Sequence, residues 1–303
     1  MSKKSSDTYK LPLLMDVNNI PELVAYICFL VISLLLMIKV YKNLVNIKNL
    51  QLSRAEEQKD MLLIQKLLLI NLTFEFISYS IEIVGYPFLD SESDVFPISY
   101  YFFSYSHIVV LYIAYWRSSL IWIQLLSMKQ TDDTVLKNIY ICLKRFPIIE
   151  ILIIILAILM FVFYLLKKST LAGLLFFFIT CFILFIFIIV GILFRIYVLT
   201  QKDIPKDSRL RVQIYILILI IVIMFRLIWN FLNILPNFQD VLKDFKYQQN
   251  PDGTLEERPF NWTIYIIIYI PLANFVPIFL LTNIYQPKSL NLNRKKTLID
   301  ISF

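Results

Sequence analysis

Long apolar runs alternate with short polar gaps along the whole chain, and this alternation predicts helices that cross a bilayer. A helical span needs about 20 mostly apolar residues. Seven stretches meet that length, at roughly 20–41, 61–86, 97–126, 147–166, 170–197, 210–235 and 261–285. The expected fold is all-α: a seven-transmembrane-helix bundle between a polar N-terminal tail (1–19) and a basic tail (286–303). The gap 167–170 is so short that the fourth and fifth spans must be antiparallel neighbours. The longest gap, 236–260, contains Asn250-Pro251-Asp252-Gly253, a turn signal. Phe245-Lys246-Tyr247 and Thr254-Leu255-Glu256 flank it as the arms of a small hairpin, with an unstructured loop as the alternative.

Charge then orients the bundle. Eighteen Lys and Arg residues fall in alternate gaps: five in 39–60, four in 128–146, five in 195–211 and four after Pro287. Eight fall in the other gaps and the N-terminal tail. Basic residues are retained on the cytosolic side of membrane proteins, so the N-terminus is expected outside or in a lumen and the C-terminus in the cytosol. The first 19 residues lack an apolar core and do not resemble a cleaved signal peptide. Composition agrees, with 59% hydrophobic residues and a mean hydropathy of +0.71. The lipid bilayer is therefore the first expected partner. The net charge of +7 belongs to the loops that face anionic head groups, and no basic folded domain is present to hold nucleic acid.

The chain has few residues suited to catalysis or metal binding. It has one histidine, His107, too few for a seven-span zinc hydrolase. The seventh span carries no lysine for a retinal Schiff base, and four glycines cannot build a phosphate loop. No enzyme, cofactor or metal site is expected. Of the three cysteines, Cys28 and Cys181 read as small buried packing residues, and Cys142 lies in a basic loop where palmitoylation is a minority reading.

Charged residues inside spans are costly and mark sites of interest. Glu75 lies about 21 Å into the second span from the cytosolic end, and Arg226 about 24 Å into the sixth from the same side. The matched depths predict that the two face the interior and interact, directly or through Asn230 or Asn274, either as a ligand or proton site or as a fixed pair that locks the packing. His107 is expected to hydrogen-bond in the outer half of the third span. Arg117 lies toward its cytosolic third, and no acidic residue precedes it as in rhodopsin-like receptors. Those receptors also carry an outer disulfide and an Asn-Pro-x-x-Tyr motif, both missing from this sequence. On the cytosolic side, Lys202, Lys206, Arg209 and Arg211 form the densest basic run, a candidate docking surface.

Three groups of residues carry a resemblance: Phe102-Phe103-Ser104 with Val110-Leu111 and Ala114; Gly191 through Arg195, Pro205 and Arg209 to Phe225-Arg226; and Asn261, Tyr265 and Pro271. Over spans three to seven the chain resembles the THH/tobamovirus-multiplication family of seven-span proteins. Tyr115 and Ile270 stand where acidic residues would be expected in that family. The resemblance implies a non-enzymatic protein of a vacuolar or lysosomal-type membrane that binds small GTPases, or in plants viral replication proteins, on its cytosolic face. The alternative is a ligand-sensing receptor at the plasma membrane, coupled to a heterotrimeric G protein; a transporter is the third reading.

Overall fold

A computed structural model describes residues 20–49, 55–85, 95–129, 141, 148–166, 169–200, 206–232, 247–249, 255–257 and 267–285. Seven helices carry the architecture: α1 (Ile20–Asn49), α2 (Ala55–Gly85), α3 (Val95–Lys129), α4 (Ile148–Leu165), α5 (Ser169–Thr200), α6 (Lys206–Leu232) and α7 (Ile267–Ile284). All except α4 are long and apolar enough to cross a membrane. The apolar stretch of α4, Ile149–Phe163, is shorter; at 1.5 Å per residue it covers about 22 Å of a hydrocarbon core about 30 Å thick. The molecule is an integral multi-pass membrane protein. The tails at 1–19 and 286–303 lie outside the described residues.

Several helices run well beyond the apolar limits expected from sequence. The first extends to Asn49, and the second begins at Ala55. The reason is chemical: the polar flanks 42–49 and 55–60 hold no proline or glycine, so backbone hydrogen bonding continues through them. Between the sixth and seventh helices, strands β1 (Tyr247–Gln249) and β2 (Leu255–Glu257) pair antiparallel, with Tyr247 opposite Glu257 and Gln249 opposite Leu255. The hairpin is therefore formed, with its arms set closer to the turn on the first strand than the sequence suggested.

Sequential helices pack on one another, with α3 also against α5 and α7 closing back on α1 and α2. The core is aromatic where α3 meets α5. Trp122 is fully buried; its ring lies 4.9 Å from Phe187 and stacks on Phe194 at 5.2 Å. Gly191 permits this approach. A Cβ there would sit 3.3 Å from Ile220 and 3.4 Å from Trp122. With lipid tails as apolar as leucine, such close packing, rather than a hydrophobic effect, holds membrane helices together.

The outer surface is as apolar as the core. Ile158, Phe178, Phe185 and Leu166 all face outward, a pattern that would aggregate in water but suits a bilayer. Cys28 is also exposed and Cys181 only partly buried, which corrects the expectation that both are buried packing residues. In a bilayer the outside is no more polar than the core, so a thiol has no reason to prefer the interior.

Hydrogen bonds fix which helix ends lie together. Lys39 donates to Asn283 Oδ1 (2.8 Å), Asn43 to the Thr282 carbonyl (3.2 Å) and Gln65 to the Tyr285 carbonyl (3.3 Å). Gln58 donates to the Ile47 carbonyl at 2.8 Å. The C-terminal ends of α1 and α7 and the N-terminal part of α2 therefore share one end of the bundle. The Tyr285 phenol, beside Ser118 and Trp122, adds the C-terminal half of α3. Lys42, Lys48, Lys59 and Arg211 are exposed toward this end. Among the described residues, the one Lys or Arg in the opposite half is the buried Arg226.

Candidate functional site

A polar cluster lies inside the half of the bundle away from the basic end. It starts on α2, where Asn71, Glu75 and Tyr79 recur every fourth residue and so share one helix face. Glu75 and Asn71 are fully buried. The Tyr79 hydroxyl donates to Glu75 Oε1 at 3.0 Å, and its ring is packed among Phe29 of α1 (5.6 Å) and Phe275 of α7 (6.3 Å). Asn71 Nδ2 donates to the backbone carbonyl of His107, which ties α2 to α3.

Arg226 enters from α6, equally far along its helix from the basic end as Glu75 is along α2. It is 3% exposed, so its guanidinium must find partners within the protein. The backbone of α7 supplies the main one: Arg226 Nη1 donates to the Ala273 carbonyl at 2.8 Å. In an α-helix that carbonyl would accept from the amide four residues on, but residue 277 is proline and has no N–H. The sequence Pro271-x-x-x-x-x-Pro277 also places a π-helical turn at Pro271–Phe275, in which the Val276 amide donates to the Pro271 carbonyl. Such turns free backbone groups for other partners. The arginine side chain replaces the bond that the proline removes. Its guanidinium also lies over the Tyr112 ring, 5.3 Å from the centroid, within cation–π range.

Asn274, on the same π turn, links the parts. Its Oδ1 lies 3.4 Å from Arg226 Nη1, a long contact, and its Nδ2 lies 3.5 Å from His107 Nε2. The same amide lies beside Glu75 and Tyr79. Glu75 and Arg226 thus share one buried cluster and act on each other electrostatically, with Asn274 between them rather than in a direct ion pair. Of the two intermediaries suggested by sequence, Asn274 stands here; the side chain of Asn230 lies outside the described residues. Glu75 Oε2 and Asn71 Oδ1 are buried with no hydrogen-bond partner.

Arg117 takes no part in this cluster. Its Nη2 donates to Glu150 Oε2 at 2.7 Å, and its Nε lies 2.6 Å from Oε1, so α3 is pinned to the first turn of α4 side-on. Glu150 escaped the sequence reading because it sits at the edge of a span, where a charge is cheap. Its position at the basic end was the available signal. Tyr79 and Asn71 were legible as neighbours of Glu75 at helical spacing. Tyr112 was not, because an aromatic on α3 signals nothing until Arg226 is found over it.

Of the basic docking residues, Lys202 lies outside the described residues, and so does the Lys206 side chain, although its backbone opens α6. Arg209 is half-buried and Arg211 exposed on the first turns of α6. Among the described residues, no group of three His, Cys, Asp or Glu side chains is placed to hold a metal ion. An apolar groove of about 550 Å³ between α5 and α6, lined by Phe178, Cys181, Phe182, Phe185, Leu227 and Ile228, opens outward on the half of the bundle that holds the cluster. No protein-family model, curated protein or solved structure matches this chain.

Proposed function

We propose that this chain is a seven-span, non-enzymatic endomembrane protein, N-terminus lumenal and C-terminus cytosolic, that docks cytosolic partners such as small GTPases. One observation supports it above the others. Lys42, Lys48, Lys59 and Arg211 are exposed toward one end of the bundle, the end whose gaps and tail hold eighteen Lys and Arg in the sequence against eight for the other. The basic end is the cytosolic one by the rule of positive-charge retention. A ring of cations there attracts acidic protein surfaces and anionic lipid alike. Residence in a vacuolar or lysosomal-type membrane follows from the family resemblance.

The test is charge reversal of Lys202, Lys206 and Arg209 to Glu. Cytosolic partners should no longer co-purify with a correctly oriented variant. Unchanged recruitment removes this loop, and the docking reading with it.

A second reading, a ligand-sensing receptor coupled to a heterotrimeric G protein, is favoured by the buried Glu75–Asn274–Arg226 cluster in the opposite half. Proximity labelling from the cytosolic face of a tagged chain separates the two. GTPase neighbours at a vacuolar or lysosomal membrane support docking, and heterotrimeric G protein neighbours at the cell surface support the receptor.

A further inference from the structure

We propose that Glu75 is the proton-binding site of a switch inside the bundle, in which uptake of one proton hands its carboxyl from Arg226 to Asn71 and loosens α2 from α7. Two hydrogen-bond arrangements are open to this one side chain. As a carboxylate it accepts from Tyr79 through Oε1, leaves Oε2 without a donor, and relies on Arg226 across Asn274 for its counter-charge. As a carboxylic acid it gains an O–H at Oε2. An acceptor for that O–H stands one turn away on the same face of α2: Asn71 Oδ1, fully buried and without a partner. Each state satisfies a group that the other leaves unmet, which is the property of a two-state element.

The surroundings single out Glu75 as the group that takes the proton. From α1 the Tyr26 ring lies 6.0 Å from that of Tyr79. From α3 come His107 and Tyr112, with Tyr100 acting on Tyr79; from α6 comes Arg226; from α7 come Asn274 and Tyr269. A proton on His107 would set a second cation beside Arg226, with only Asn274 between. A proton on Glu75 removes an anion that already lacks one partner.

Arg226 does not depend on Glu75 for its place. The Ala273 carbonyl that Pro277 leaves free, together with the Tyr112 face, keeps it on α7 and α3. Neutralising Glu75 therefore spares the α6–α7 contact and weakens only the attraction between α2 and the π turn. The change is confined to the half of the bundle opposite the basic end. That this half faces a lumen, where endomembranes are acidic, rests on the topology proposed above.

The experiment is an infrared pH titration of the purified full chain in detergent, where both faces meet the same pH and an inverted topology would not alter the result. Subtracting the spectrum of Glu75→Gln cancels the other Asp and Glu side chains, and one protonated-carboxyl band should remain in the difference and grow on acidification. Tyr79→Phe removes the hydrogen bond that the Tyr79 hydroxyl donates to the carboxylate, so the midpoint should rise by about one pH unit, a tenfold gain in proton affinity. A difference spectrum between the unsubstituted protein and Glu75→Gln that holds no titrating carboxyl band overturns the proposal. Should Glu75→Gln fail to fold, the Tyr79→Phe arm decides, and an unmoved midpoint overturns it equally.

Discussion

Replacing Arg226 by leucine should destabilise the bundle more than replacing Arg226 and Glu75 together. The single change deletes the charged hydrogen bond to the Ala273 carbonyl, about 2 kcal/mol, and the contact with the Tyr112 face, about 1 kcal/mol. It also strands Glu75, fully buried, with the Tyr79 hydroxyl and the Asn274 amide beside it and no counter-charge. Leaving a buried charge without its partner costs about 3–5 kcal/mol in all. The double change removes the stranded anion as well. Two charges held one amide apart couple by about 2 kcal/mol at an effective dielectric near 20, and this is the expected interaction energy in the cycle. The assay is reversible unfolding in mixed micelles, with SDS as the denaturant, for the wild type, both single variants and the double variant at pH 7.5. Additivity to within about 0.5 kcal/mol would refute the reasoning, since residues that do not sense each other give no coupling.

Other outcomes follow from the same geometry. A tag after Phe303 should be open to protease from the cytosol and a tag before Met1 protected; equal access at both ends would rule out an odd number of spans. Arg117→Met should cost about 1–2 kcal/mol in the same unfolding assay, because its side-on pair with Glu150 is partly buried, and Glu150→Gln should cost little more when added to it. Gly191→Val should cost about 1–3 kcal/mol, since even a Cβ there would press on Ile220 and Trp122; a smaller loss would mean that α5 and α6 part easily. Asn274→Leu should cost more than Asn283→Leu, the first amide being buried between three helices and the second half-exposed beside Lys39, as read by the same midpoints.

The helical architecture was legible in the sequence because a bilayer imposes a length and a polarity on every crossing segment, and both are written as runs of residues. The hairpin was legible for a local reason, the turn signal in the sequence Asn250-Pro251-Asp252-Gly253. The shared depth of Glu75 and Arg226 could be counted along the helices, since a fixed rise per residue converts position into height. Rotation about each helix axis could not be counted. An apolar exterior and an apolar core give no moment to orient a helix, which is why Cys28 reads as a buried packing residue and yet faces out. For the same reason only the assembled bundle shows that Arg117 meets Glu150, that Asn274 rather than a direct contact joins Glu75 to Arg226, and that Tyr112 lies beneath the guanidinium. The prolines of the seventh helix mark the boundary. Pro277 by itself dictates that the Ala273 carbonyl loses its helical donor, and only tertiary packing decides that an arginine from another helix supplies the replacement.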